Sequence, residues 1–185
     1  MRIIGGKYRG KKLEFLENES TKPTADIIKE NMFNILGAKV YGSVCLDLFG
    51  GTGALGIECI SRGAKQVYIV DNNGKAIKNI KNNINSFKEE DVNSIFVEYA
   101  DYSAALHHFG VRGIKFDLIF LDPPYHSDFA IKTLKKIREY NLLNSDGIVL
   151  WEHSADINVN LKPSCPFYAY SERIYGEKAL TFFRC

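Results

Sequence analysis

The sequence predicts a doubly wound α/β domain: a mostly parallel sheet with antiparallel C-terminal strands, preceded by a basic hairpin and a helix. Three observations predict it. From about residue 43, strand-like runs alternate with helix-like runs. The strands are almost continuously apolar, as a parallel sheet needs when helices cover both its faces. A glycine-rich loop and a double-proline turn follow two of these strands, at the carboxyl ends where open α/β sheets bind ligands.

The opening stretch is a distinct arm, residues 1–22, ahead of a domain spanning 23–185, the two forming in effect one structural unit. Gly5, Gly6 and Gly10 punctuate short apolar and basic stretches, which predicts a hairpin rather than a helix. Arg2, Lys7, Arg9, Lys11 and Lys12 stand in the first twelve residues with no acid among them. Pro23 and Thr24 follow, with Thr24 able to cap a helix whose Ile28, Met32 and Leu36 form one apolar stripe. Gly37 is its expected stop.

The alternating region begins with a strand at 43–49, and further strands are expected at 66–71, 94–98, 116–122 and 147–152. Helices are expected between them at 53–62, 73–87, about 101–109 and 127–140. The second of these places Ile77, Ile80, Ile84 and Phe87 on one face and Lys75, Lys78 and Lys81 on a solvent face. Tyr168, Tyr170, Ile174 and the run at 179–183 predict a closing antiparallel pair.

With 45% hydrophobic and 25% charged residues over 185 positions, the chain is neither disordered nor a disulfide-dense miniature. No cysteine pair has ligand spacing, and the four histidines share none with them, so no metal is expected. Cys45 and Cys59 lie in apolar runs, where a thiol packs as a small hydrophobe. No apolar run reaches the roughly 20 residues of a membrane span, and none follows the basic N-terminal residues, so neither a span nor a signal peptide is expected and a cytoplasmic protein is. A monomer is the expected state.

The net charge is only +2, yet the first twelve residues carry +5. That concentration, interleaved with Tyr8, suits a flexible segment that clamps a phosphate backbone.

Two motifs carry the chemistry. Asp47 precedes Phe49-Gly50-Gly51-Thr52-Gly53, and Gly51, Gly53 and Gly56 satisfy G-x-G-x-x-G between a strand and a helix. Asp71, with Asn72 after it, closes the next strand and is placed to hold ribose hydroxyls. Such a loop serves nicotinamide dinucleotides too, which keeps an oxidoreductase open. Asp47 argues against it, since its charge repels a pyrophosphate and favours a cationic ligand such as S-adenosyl-L-methionine.

The second motif is Asp122-Pro123-Pro124-Tyr125 at the end of the fourth strand. Two prolines leave the backbone stiff and without donors. The Asp122 carboxylate and the Pro123 carbonyl can then accept both N–H groups of an exocyclic base amine and aim its lone pair at an electrophile. Tyr125 offers a ring on which a flipped-out base stacks.

On these residues the sequence resembles the bacterial small-subunit (16S) ribosomal RNA guanine-N2 methyltransferases, the methyltransferase D family. The resemblance runs from Met1–Gly6 and Arg9-Gly10 through Pro23-Thr24 and Phe33–Leu36. It continues through residues 47–64 and 119–125 to Tyr175-Gly176. It implies a Rossmann-like class I methyltransferase fold, S-adenosylmethionine as cofactor, and the small ribosomal subunit as partner. It further implies that Asp47 and Gly50–Gly53 hold the methionine part of the cofactor, and that Asp101, followed by Tyr102, meets the adenine. The bland reading of Asp101 is a helix N-cap. Lys22 departs from the family, which commonly has arginine there; charge is kept but a bidentate contact is lost. The rival to guanine is adenine-N6 methylation of DNA or RNA, which uses a closely similar four-residue motif. A catalytically silent RNA-binding module is a further rival.

Overall fold

The computed structural model describes residues 1–14, 23–123, 127–157 and 165–185. Helix α1 (Pro23–Leu36) leads into β1 (Val44–Asp47), α2 (Ala54–Ser61), β2 (Gln66–Asp71) and α3 (Gly74–Ile84). Then come α4 (Glu89–Val92), β3 (Ile95–Tyr99), α5 (Tyr102–Val111), β4 (Phe116–Leu121) and α6 (Ser127–Glu139). Three strands close the chain: β5 (Leu143–Ser154), β6 (Tyr168–Tyr175) and β7 (Lys178–Arg184).

The seven strands form one sheet in the order β3-β2-β1-β4-β5-β7-β6. The first five are parallel, while β7 runs antiparallel to both β5 and β6. Chain order reverses between β1 and β4, and a crevice opens there beyond the strand ends. Each sheet face carries its own apolar core. One holds Met32, Phe33, Cys45, Cys59, Phe120 and Phe182, and the other Leu46, Leu106, Phe109, Phe116, Leu134 and Trp151. Among the described residues no helix is long and apolar enough to cross a membrane.

The expected elements are present, with two differences. Strand β5 starts four residues early, because Leu143 pairs with Phe116 before a register shift; Ser145 and Asp146 are exposed there and mask the strand pattern. The helix expected over 73–87 stops at Ile84, and the short α4, too brief to show a period, follows it. Helix α1 buries Ile28, Met32 and Leu36 as its stripe requires, and Gly37 ends it at φ 52°. The Thr24 side chain and Lys22 lie outside the described residues.

The N-terminal arm is a hairpin, with Arg2 bridged to Lys12 and Gly6–Tyr8 forming its turn. It is fastened down rather than flexible. Ile3 and Leu13 are buried in the core beneath it. The fully buried Glu58 of α2 accepts the Ile4 and Gly5 amides, each at 2.8 Å, and also Arg62 Nε. Tyr8 stacks on Phe87 with ring centroids 4.2 Å apart and donates its hydroxyl to Asp91 at 2.5 Å.

Candidate active site

The crevice beyond β1, β2, β3 and β4 holds a cavity of about 600 Å³. Its wall includes Phe49, Gly51, Asp71, Asn72, Asp101, Tyr102, Asp122 and Pro123, all expected from the sequence. Leu48, Asn73, Ala100 and Phe129 join them without having been foreseen.

The glycine loop is shaped by what it presses against. Gly50 donates to Val70 O at 2.8 Å, which draws the loop onto the end of β2. Gly51 sits at φ 50°, a left-handed conformation that a side chain disfavours, and it leaves open space on the cavity side. Its amide donates to Asp71 Oδ2 at 2.8 Å, while Asp71 Oδ1 accepts Asn73 N at 2.7 Å. A Cβ on Gly56 would stand 2.7 Å from Ile69, so α2 packs on β2 only with glycine there.

Asp47 lies behind this loop and not in the cavity wall. Only 3% of it is exposed, and Oδ2 accepts the Gly56 amide at 3.0 Å. Burial pushes its pKa up to about 7; the Gly56 amide opposes the shift, and Asp71 adds to it. Gly50 and Gly53 likewise support the loop from outside the wall.

Asp101 caps α5, its Oδ1 accepting Ser103 N at 2.8 Å, and it lines the cavity as well. The cap and the cavity position coexist. Beside it Phe49, Tyr102 and Phe129 form an aromatic cluster, with Tyr102 and Phe129 centroids 4.5 Å apart and Phe49 within 6.0 Å of each.

On the β4 side the wall is Asp122. It lines the cavity with part of its surface open. Burial and then the neighbouring Glu152 carboxylate push its pKa up to about 7, against the pull of Lys178. Glu152, at the end of β5, is ion-paired with Lys178 of β7. Lys178 was not expected from the sequence, since only the register of the last hairpin brings it here. Pro124, Tyr125 and His126 lie outside the described residues. His153 is buried, bonded to Thr181 Oγ1 at 2.7 Å and to Ser154 O at 2.8 Å.

Of the arm's cations, Lys7 pairs with Asp91, and Lys11 donates to Ser86 O over the Phe87 ring. Arg2, Arg9 and Lys12 are exposed, with no carboxylate partner among the described residues. Arg2 and Lys12 face each other across the hairpin, a like-charge pairing that an anion would relieve.

A sequence profile of the family described as Conserved hypothetical protein 95 matches residues 1–184. The Haemophilus influenzae protein named Ribosomal RNA small subunit methyltransferase D is 33% identical over 161 residues, 84% of this chain and 80% of its own. The chain belongs to this family. YlbH of Bacillus subtilis is 38% identical over 162 residues, 86% of this chain and 85% of its own. The solved structure of yhhF from Escherichia coli, 25% identical, has a TM-score of 0.85 over 99% of this chain and 96% of that one. The fold of that methyltransferase is therefore the fold of this chain, a mostly parallel sheet with antiparallel closing strands.

Proposed function

We propose that this chain transfers a methyl group from S-adenosylmethionine to the exocyclic N2 amine of a guanine in 16S ribosomal RNA. Supporting this are the family, a relative named for the small-subunit RNA, and above all one observation: Asp122 and Pro123 stand in the wall of the same cavity as Asp71 and the glycine loop.

The cavity fits the cofactor. It has the volume of a small-molecule site. Asp71 at its rim suits ribose hydroxyls, and the Gly51 backbone admits close approach. Phe49, Tyr102 and Phe129 offer apolar faces for the adenine, and Asp101 an acceptor for its amino group. When bound, S-adenosylmethionine supplies an electrophilic sulfonium methyl group.

The chain's own residues then orient the nucleophile. The Asp122 carboxylate and the Pro123 carbonyl accept the two N–H groups of the amine, so its lone pair leaves ring conjugation and faces the methyl carbon. Carbon–nitrogen bond formation accompanies carbon–sulfur cleavage, and sulfur keeps the bonding pair. The alkylated nitrogen is strongly acidic, so no dedicated base is needed; Asp122, with a pKa of about 7, can take the proton. Pro124 and Tyr125 complete the motif, Tyr125 as the stacking ring. Arg2, Arg9 and Lys12 would meet phosphates, and Lys7 and Lys11 lie beside them on the same arm.

The test is mass mapping of 16S RNA in small subunits from a strain lacking this protein, before and after treatment with the protein and cofactor. One new N2-methylguanosine is the expected result. Methyladenine in its place, or an unchanged spectrum, overturns the reading.

A further inference from the structure

We propose that Glu152 and Lys178 read the Watson–Crick edge of the target guanine alongside Asp122, and thereby set the preference for guanine over adenine. This rests on the N2-guanine reading above and assigns residues to it outside both motifs.

The sheet order puts β4, β5 and β7 side by side. The parallel pairing of β4 with β5 ends on Leu121 and Trp151, so Asp122 and Glu152 are the next neighbours in register. Across the antiparallel pair, Glu152 is opposite Leu180 and Ser154 is opposite Lys178. Lys178 is two residues from Leu180 and so shares its face, which is also the face of Glu152. The Lys178 ammonium closes onto Glu152 Oε1. Along the carboxyl edge of the sheet the order is therefore carboxylate, carboxylate, ammonium, beginning where the cofactor cavity ends.

Guanine presents its Watson–Crick edge as N2 amine donor, N1–H donor and O6 acceptor. The two sequences of groups match in order. With N2 on Asp122, N1–H meets the second oxygen of Glu152, and O6 meets an N–H of Lys178 not used by Glu152. Adenine with its amine on Asp122 would instead turn the N1 lone pair toward a carboxylate and leave Lys178 without an acceptor. Half of the Lys178 side chain is exposed, against 15% for Glu152, so the ammonium end is open to a ligand while the carboxylate is held. The influence of both groups on the Asp122 proton is a second sign of their closeness.

The probe is 16S RNA reconstituted into subunits, carrying at the mapped position either guanine or 2,6-diaminopurine. The analogue keeps the N2 amine but replaces N1–H by an acceptor and O6 by a donor. Wild-type protein should prefer guanine in kcat/KM by about 10- to 100-fold, the worth of a good base-edge contact. Glu152→Gln, whose amide can donate to N1 of the analogue, should reduce that ratio about tenfold or more. Lys178→Met should raise KM for guanine while relaxing the same ratio. Unfolding temperatures of both variants separate a folding defect from a reading defect, since a merely structural pair would lower stability and leave the ratio unchanged. Equal ratios in wild type and both folded variants overturn this proposal while N2 methylation stands. Absence of any N2-methylguanine with wild-type protein overturns the parent reading instead.

Discussion

The Asp71 carboxylate accepts the Gly51 amide at 2.8 Å, joining the end of the second strand to the tip of the glycine loop twenty residues earlier. One side chain thus shapes the loop and presents itself at the cavity rim. Asp71→Ala removes both roles. Titration calorimetry with S-adenosylhomocysteine should show affinity lowered by about 10- to 100-fold, the usual worth of hydrogen bonds to a charged group. Unchanged affinity would count against the cavity as the cofactor site.

Asp122 carries a pH signature. Its pKa, raised from 3.8 to about 7, leaves much of it protonated in weak acid, where the neutral acid is a weaker acceptor for the amine N–H than the carboxylate. In the free enzyme kcat/KM should therefore rise with pH through about 7 and level off above it. Asp122→Asn, which retains one acceptor oxygen at every pH, should give a lower but flat profile over this range. A variant that keeps the wild-type pH step would assign that step to another group.

Buried Asp47 should make stability fall as pH rises. Its native pKa of about 7 lies above the ordinary 3.8, so between these values the native state holds a proton that the unfolded chain has released. Its contribution is most favourable below about pH 4 and is progressively lost as pH rises to about 7. Asp47→Asn abolishes the effect, and the variant's advantage in urea unfolding should grow from pH 5 to pH 8. From the size of the shift, it should reach at most about 4 kcal/mol. A gap that does not change with pH would contradict this assignment.

Much of the site was legible in the sequence because strand–loop–helix signals place residues by local rules. Asp71, Asp101, Asp122 and the glycine loop each lie at or just after a strand end, and a parallel sheet gathers its strand ends on one side. Phe129 was not legible, because reaching the cavity depends on how α6 lies over the sheet. The position of Lys178 depends on hairpin register, which is set by packing between strands distant in sequence. Asp47 was read as a ligand contact because its charge and spacing are visible, whereas its burial against Gly56 is a tertiary fact. The arm's charge suggested mobility, yet its anchor, Glu58, lies more than fifty residues away.

That anchor gives another prediction. Glu58→Ala leaves two arm amides without their acceptor and the buried Lys29 ammonium without its carboxylate partner. It should destabilise the protein by about 3–5 kcal/mol, the range for breaking a buried charged pair. Hydrogen exchange at Ile4 and Gly5 should accelerate in the same variant. Wild-type exchange at those two amides would show that something else holds the arm.

The hairpin's fixed seat also bears on how an RNA would be selected. The Asn83 side chain donates to both Glu14 O and Thr52 O, so the end of the arm and the glycine loop share one anchor. The hairpin backbone that carries Arg2, Arg9 and Lys12 is thus seated against the loop that lines the cavity. A loose, fluctuating RNA would have to give up its own disorder to match that arrangement, whereas one already folded by its surroundings would not. On the proposed reading, the fixed seat of the first twelve residues would favour an RNA that is already folded.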